Sequence, residues 1–173
     1  MEYKFRDLKS TEIDCRIAQI NEKGLSLLLY KNARVDMDIL DETVGAMNWK
    51  RTHTRENANC IIEIWDEDKK QWIGKEDTGT ESFTEKEKGL ASDSFKRAGF
   101  NWGIGRELYT APFIYIPILD AKNEANFELE DKNGKKTTKT KFYVEAIEIT
   151  NKEITGLAIK NNKGKRVFVY RKG

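Results

Sequence analysis

Lys96 and Arg97 stand side by side in SDSFKRAGFNWGIGRELY (residues 92–109), followed by Phe100, Arg106 and glycines at 99, 103 and 105. Two kinds of site use such residues. A glycine-rich loop that opens a helix aims free N–H groups at a phosphate. A cation pair along a helix holds a sugar-phosphate backbone electrostatically, without chemistry. The order of residues speaks against the first. The glycines close a helical pattern, where carbonyls and the negative dipole end face outward, and no G-x-x-x-x-G-K-[ST] occurs in the chain. ATP hydrolysis is therefore not expected, and the glycines read as close-packing and helix-ending residues, with Arg106 just beyond.

A second basic stretch, NWKRTHTR, interleaves Trp49 with Lys50, Arg51 and Arg55. Cations there neutralise phosphates while aromatic rings stack on unpaired bases. Catalytic groups are sparse. His53 is the only histidine, placed in a strand-like run, and neither Cys15 nor Cys60 has a histidine nearby in sequence. The cysteines make no metal or redox spacing and read as free thiols of a reducing compartment. The acids Asp36, Asp38, Asp41 and Glu42 cluster on one helical segment, and Asp66, Glu67 and Asp68 in a turn. Glu67–Lys69 has the E-x-K form of a metal-dependent nuclease but falls in that turn rather than in a strand, which leaves a nuclease as a minor alternative. The reading is of a binding protein, not an enzyme, with no catalytic residue, metal or cofactor.

The formal net charge is only +2, but residues 132–173 carry 12 Lys/Arg against 3 Asp/Glu, and the rest of the chain is net acidic. Such a basic end is an electrostatic footprint for a polyanion. The N-terminus MEYKFRDLKS has no apolar stretch and no run reaches membrane-spanning length. A cytoplasmic protein without a membrane partner is expected.

The elements that must position these residues follow from periodicity. TEIDCRIAQINEKGLSLLLY holds two strand-like runs around NEKG, a hairpin signal. RVDMDILDETVG is helical, with Val35, Ile39 and Thr43 recurring at fours and Gly45 as a stop. MNWKRTHTRE, NCIIEIWDED and QWIGKEDTGT read as an antiparallel meander. Thr84 and Glu87 form a possible capping box for a long helix, whose core stripe is Ala91, Phe95, Ala98 and Trp102. Its other face collects Lys86, Asp93, Lys96, Arg97 and Phe100, an aromatic among cations that docks on a partner or sits beside a ligand. APFIYIPIL is extended and edged by prolines. Residues 120–140 read as a mobile polar connector, and the tail gives three more strand-like runs. The fold class is α+β: a β-hairpin, a helix, a three-stranded antiparallel meander packed by a long helix, and a basic β-rich C-terminal segment. Residues 1–119 form the expected core domain, 120–140 a linker, and 141–173 the C-terminal segment.

With these segments in order, the chain resembles the single-strand annealing proteins of the RAD fifty-two superfamily, most closely the phage Sak-type recombinases. YKNARVDMDILDETVGAMNW (Tyr30–Trp49), KEDTGTES (Lys75–Ser82) and ASDSFKRAGFNWGIGRELY carry the resemblance over roughly residues 12–110. It implies a β-β-β-α core that assembles into homo-oligomeric rings. Single-stranded DNA would lie in a basic groove and be annealed to its complement without ATP, in recombination and repair. Lys96 and Arg97 match the family's backbone-contacting pair, Tyr30 a groove aromatic and Arg16 a strand arginine. Phe100 stands where the family has a cation, with Arg106 as a compensating charge. Implied partners are single-stranded DNA, the annealing duplex intermediate, and a phage exonuclease or single-strand DNA-binding protein in a bacterial host cytoplasm. The alternative within this frame is a module that coats or protects ends without annealing.

Overall fold

A computed structural model describes residues 2–80 and 86–173, with side chains from residue 89 onward in the second range. Its strands are β1 (Asp14–Ile20), β2 (Gly24–Tyr30), β3 (Trp49–Thr54), β4 (Asn59–Asp66), β5 (Gln71–Thr78), β6 (Ile114–Pro117), β7 (Glu130–Lys132), β8 (Lys135–Thr137), β9 (Phe142–Thr150), β10 (Glu153–Asn161) and β11 (Arg166–Arg171). Two helices, α1 (Ala33–Val44) and α2 (Lys86–Trp102), lie either side of β3–β5 in sequence. The protein is mixed α and β with mostly strands. No helix among the described residues is long and apolar enough to cross a membrane.

The chain divides into two compact units. The first comprises Met1–Asp7 and Asn32–Arg106, the second Leu8–Lys31 and Glu107–Gly173. These bounds differ from the expected 1–119, 120–140 and 141–173. The hairpin belongs with the C-terminal strands, not with the meander, because β1 pairs with β9 as well as with β2.

In the first unit, the sequence sets the helix ends. Asn32 caps α1, its Oδ1 accepting from the N–H groups of Arg34 (2.9 Å) and Val35 (3.4 Å). Gly45 ends it at φ +86°, a conformation that favours glycine. Val35, Ile39, Leu40 and Val44 are buried along one side, while Thr43 is only half-buried. The meander is an antiparallel sheet in the order β3-β4-β5. Cys60, Ile62 and Ile64 of β4 are fully buried beneath α2, with the residues between them only half-buried, the alternation a one-sided sheet requires. The β4–β5 turn closes on Asp66, whose Oδ1 accepts from the N–H groups of Asp68 (3.0 Å) and Lys69 (2.9 Å).

Helix α2 buries Phe95 and Ala98 as expected, together with Leu90 and Ser94; Ala91 and Trp102 are half-buried. Trp102 stays at the edge because its indole Nε1 donates to the Ile62 carbonyl at 3.0 Å. Gly99 lies against α1: a Cβ there would come within 2.5 Å of an Asp36 carboxylate oxygen. Gly103 (φ +97°) and Gly105 (φ +72°) then unwind the chain, so the glycine cluster packs and terminates a helix. Thr84 of the expected capping box lies outside the described residues.

The second unit is built on a six-stranded sheet in the order β11-β10-β9-β1-β2-β6. Asn21 forms the β1–β2 turn, its Oδ1 accepting from the N–H groups of Lys23 (2.8 Å) and Gly24 (3.2 Å). The core includes Leu25, Leu27, Ile114, Ile116, Ile154 and Ile159. Pro117 is tolerated because β6 is an edge strand. Residues 120–140, expected as a mobile polar linker or loop, contain the β7–β8 hairpin and the buried Asn126 and Phe127. Asn126 is held by donating to the Pro117 carbonyl (3.0 Å), and its own carbonyl accepts from Asn161 Nδ2 (3.0 Å), partners that sequence polarity does not reveal.

Ionic contacts tie this segment down. Lys165 Nζ lies 2.8 Å from Asp120 Oδ2, and this bond, with the N–H groups of Glu124 and Lys122, lowers the Asp120 carboxyl to about 2. A depressed carboxyl contributes stability above its unfolded value, here 3.8, and loses it as pH falls through about 2. A carbon-13 titration should therefore place the Asp120 midpoint near 2; a midpoint at 3.8 would mean the Lys165 contact is not made.

Candidate nucleic-acid interface

The sequence-predicted residues divide between the two units. Lys50, Arg51, Arg55, Lys96, Arg97, Phe100 and Arg106 belong to the first, Arg16 and Tyr30 to the second.

In the first unit, strand alternation separates Lys50 from Arg51. Lys50 lies on the face away from α2, 4.5 Å above the Trp72 ring and 3.4 Å from Glu63. Arg51 points to the helix side, 4.7 Å over Phe95, which stacks on Trp49 at 6.1 Å. The two do not form one patch. Arg55 occupies the β3–β4 turn at φ +51°, with Nη1 donating to Asn59 Oδ1 at 3.5 Å. Behind this turn Ser94 Oγ donates to the Asn57 carbonyl (2.9 Å) and approaches His53 Nδ1 (3.4 Å). Burial and the nearby Arg51 hold the imidazole below its ordinary range, so His53 is a neutral, half-buried structural residue near pH 7.

Arg97 donates to Asp93 Oδ2 at 2.9 Å, one helical turn away. Partial burial pushes the Asp93 carboxyl up, but the Thr80 N–H and the Arg97 guanidinium outweigh it and hold it below the usual range. This pair orients Arg97 along the helix. Lys96 makes no ion pair among the described residues and is half-buried. Phe100 is half-buried. Arg106 caps the end of α2, where Nε donates to the Phe100 carbonyl (2.6 Å) and Nη2 to that of Asn101 (3.0 Å). Lys75, not singled out from sequence, does similar work, donating to Asn101 (2.9 Å) while lying 4.7 Å over Trp102.

The acids of the β4–β5 turn are consumed locally. Glu67 accepts from Lys70 and from Trp65 Nε1, and Asp66 from the turn backbone. Among the described residues no three His, Cys, Asp or Glu side chains gather as a metal-binding group.

In the second unit Arg16 and Tyr30 do come together. The register sets Asp14 opposite Tyr30 and Arg16 opposite Leu28, so Asp14, Arg16, Leu28 and Tyr30 share one face, which is exposed. Arg16 makes no ion pair among the described residues. Burial and the Asp14 carboxylate raise the Tyr30 hydroxyl above its ordinary value, so it stays protonated and uncharged. The opposite face of β1 carries Cys15, whose thiol burial pushes up to about 12; Cys60 in the first unit is raised to about 11, also by burial. Neither cysteine is a thiolate at neutral pH, which is the form that acts as a nucleophile.

The basic C-terminal segment is largely neutralised within its own unit. Of its twelve cations, eight pair with carboxylates, among them Lys163 with Glu128 (2.6 Å), Arg166 with Glu145 (2.6 Å) and Lys172 with Glu153 (2.5 Å). Among the described residues Lys132, Lys135, Lys141 and Lys160 make no such pair. The second unit nevertheless holds 17 Lys/Arg against 12 Asp/Glu, and the first 14 against 17.

Comparison with known protein families, with curated proteins and with solved structures finds no match.

Proposed function

We propose that this protein binds single-stranded DNA along its sugar-phosphate backbone and anneals complementary strands without ATP, as a homo-oligomer of ring form serving recombination or repair. The observation that carries this reading is the shared exposed face of Arg16 and Tyr30, residues fourteen apart in sequence that the β1–β2 register makes neighbours. A guanidinium without a carboxylate partner among the described residues, beside a protonated tyrosine ring, suits a phosphate and an adjoining base. Lys96 and Arg97 on α2 add two cations that need no sequence-specific contact. A three-stranded antiparallel meander followed in the chain by a long helix is the order the resemblance implies for its β-β-β-α core, and supports the reading.

The physical demands of annealing suit these groups. Two strands of like charge approach only if their phosphates are partly neutralised, and pairing needs base edges left open. Backbone cations meet the first demand without reading sequence, and a shallow exposed face meets the second. No bond is made or broken, so the side chains need only position and neutralise.

The test is binding of a labelled oligonucleotide by anisotropy across a salt series, with a strand-pairing assay alongside. The double variant Lys96→Ala/Arg97→Ala should bind about tenfold or more weakly, with a log–log salt slope shallower by about 1.4, and should melt close to the parent protein. Its lost Arg97–Asp93 pair is half-buried and worth about 0.5–1 kcal/mol. Wild-type protein that ignores single strands at moderate salt would end this reading. Protein that binds but slows pairing would make it a coating or end-protecting module, and magnesium-dependent cleavage would make it a nuclease.

A further inference from the structure

Strands β1 and β9 meet at a single ladder pair, Asp14 with Tyr143, and then part. Where they part lies a cleft of about 630 Å³, lined by Asp14, Arg16, Tyr30, Lys141 and Tyr143 among others. We propose that this cleft is a single-nucleotide subsite in which Tyr30 and Tyr143 take the base while Arg16 and Lys141 take the adjoining phosphate. The proposal rests on the single-strand binding reading above and adds to it two residues from the C-terminal segment.

The register makes the argument. Asp14 is paired to Tyr30 on one side and to Tyr143 on the other, so the three side chains form one row across the sheet, Tyr–Asp–Tyr. Tyr30 is 41% exposed and Tyr143 46%, whereas Phe142 and Val144, which flank Tyr143, are buried on the opposite face. Two residues further along β1 stands Arg16, and Lys141, two residues before Tyr143 in sequence, lines the same cleft. A basic row therefore runs beside an aromatic row at a spacing of about 6.7 Å, of the order of one nucleotide. Strand pairing places neighbouring strands about 4.8 Å apart, so the outer tyrosines stand about 10 Å from each other, with Asp14 between and below.

The charges give the site a polarity. Asp14 repels a phosphate from the tyrosine row, and Arg16 and Lys141, in no ion pair among the described residues, attract it to the next. Lys141 is one of four cations in residues 132–173 without a carboxylate partner among the described residues, and of those four only Lys141 lines this cleft. A volume of about 630 Å³ falls within the ~300–1,000 Å³ of small-ligand sites. The cleft also reaches between the strands to Ile13, Cys15 and Phe142 of the opposite face, where burial pushes the Cys15 thiol up to about 12.

Full-length protein should be titrated with labelled oligo-dT and with a strand of the same length carrying abasic sites. Tyr143→Ala is expected to weaken oligo-dT binding about tenfold and to leave the abasic strand unaffected, while Tyr143→Phe binds as the parent. Lys141→Ala is expected to weaken both strands and to reduce the salt slope by about 0.7. If Lys96→Ala/Arg97→Ala weakens binding but Tyr143→Ala and Lys141→Ala bind both strands as the parent does, the subsite is wrong and the single-strand reading survives. If the parent protein binds neither strand, the functional reading itself fails and takes the subsite with it. Loss of binding by Tyr143→Phe as well would show that the ring acts through its hydroxyl, contrary to stacking.

Discussion

Phe95→Ala is expected to destabilise the first unit by about 3–5 kcal/mol, the largest single-residue effect expected in that unit. Phe95 is fully buried, stacks on Trp49 with an interplanar angle of 28°, and carries Arg51 4.7 Å over its ring. Truncation removes the ring from the interface between α2 and the sheet and leaves a cavity that Trp49, tied by its Nε1 to Asp41 Oδ1 at 2.6 Å, is not free to fill. It also deprives Arg51 of its aromatic seat, a loss of about 0.5–1 kcal/mol. Phe95→Leu keeps most of the volume and should cost less than half as much. Urea unfolding at neutral pH measures both. A change below about 1 kcal/mol for the alanine variant would show that α2 is not seated on the meander through this ring.

Gly79→Ala tests the same seat from the backbone side, with an expected loss of about 3 kcal/mol. A Cβ at Gly79 would stand 2.6 Å from the Ser94 N and 3.0 Å from the Leu90 carbonyl oxygen. Both are main-chain atoms of α2 and cannot swing aside as a side-chain tip would, so the helix must move bodily. That movement strains the bonds that dock it, Ser94 Oγ to the Asn57 carbonyl (2.9 Å) and the Thr80 N–H to Asp93 (2.8 Å). Because Asp93 also holds Arg97, the variant is expected to lose DNA affinity along with stability on the proposed reading. Gly103→Ala is the control: φ is +97° but no atom beyond the adjoining residues lies within 4 Å of the added carbon, leaving only a backbone penalty of about 1 kcal/mol. Equal losses for the two variants would refute close packing as the reason for glycine at position 79.

These effects concentrate on α2 because it is the element that unites the unit. It closes the buried face of the meander through Phe95 and Ala98, meets α1 at Gly99, and ends under the guanidinium of Arg106. Lys96 and Arg97, two of the cations proposed to meet DNA, stand on the same helix, so their placement inherits its packing.

What local pattern controls was legible in the sequence. The hairpin around Asn21–Gly24, the Asn32-capped helix ending at Gly45, the three meander strands and the buried Phe95–Ala98 stripe follow from turn chemistry and periodicity acting over a few residues. Tertiary structure alone decided which edges pair. Nothing near residue 14 says that its strand will meet one at residue 143, because an unpaired strand edge offers the same N–H and C=O groups to every candidate. That one pairing assigned the hairpin to the C-terminal strands, brought Lys141 and Tyr143 beside Arg16 and Tyr30, and so made the cleft. Tertiary structure likewise paired eight of the twelve C-terminal cations with carboxylates, Lys163 and Glu128 lying 35 residues apart. Composition counts charges, but Coulomb attraction depends on distances that only the folded chain sets.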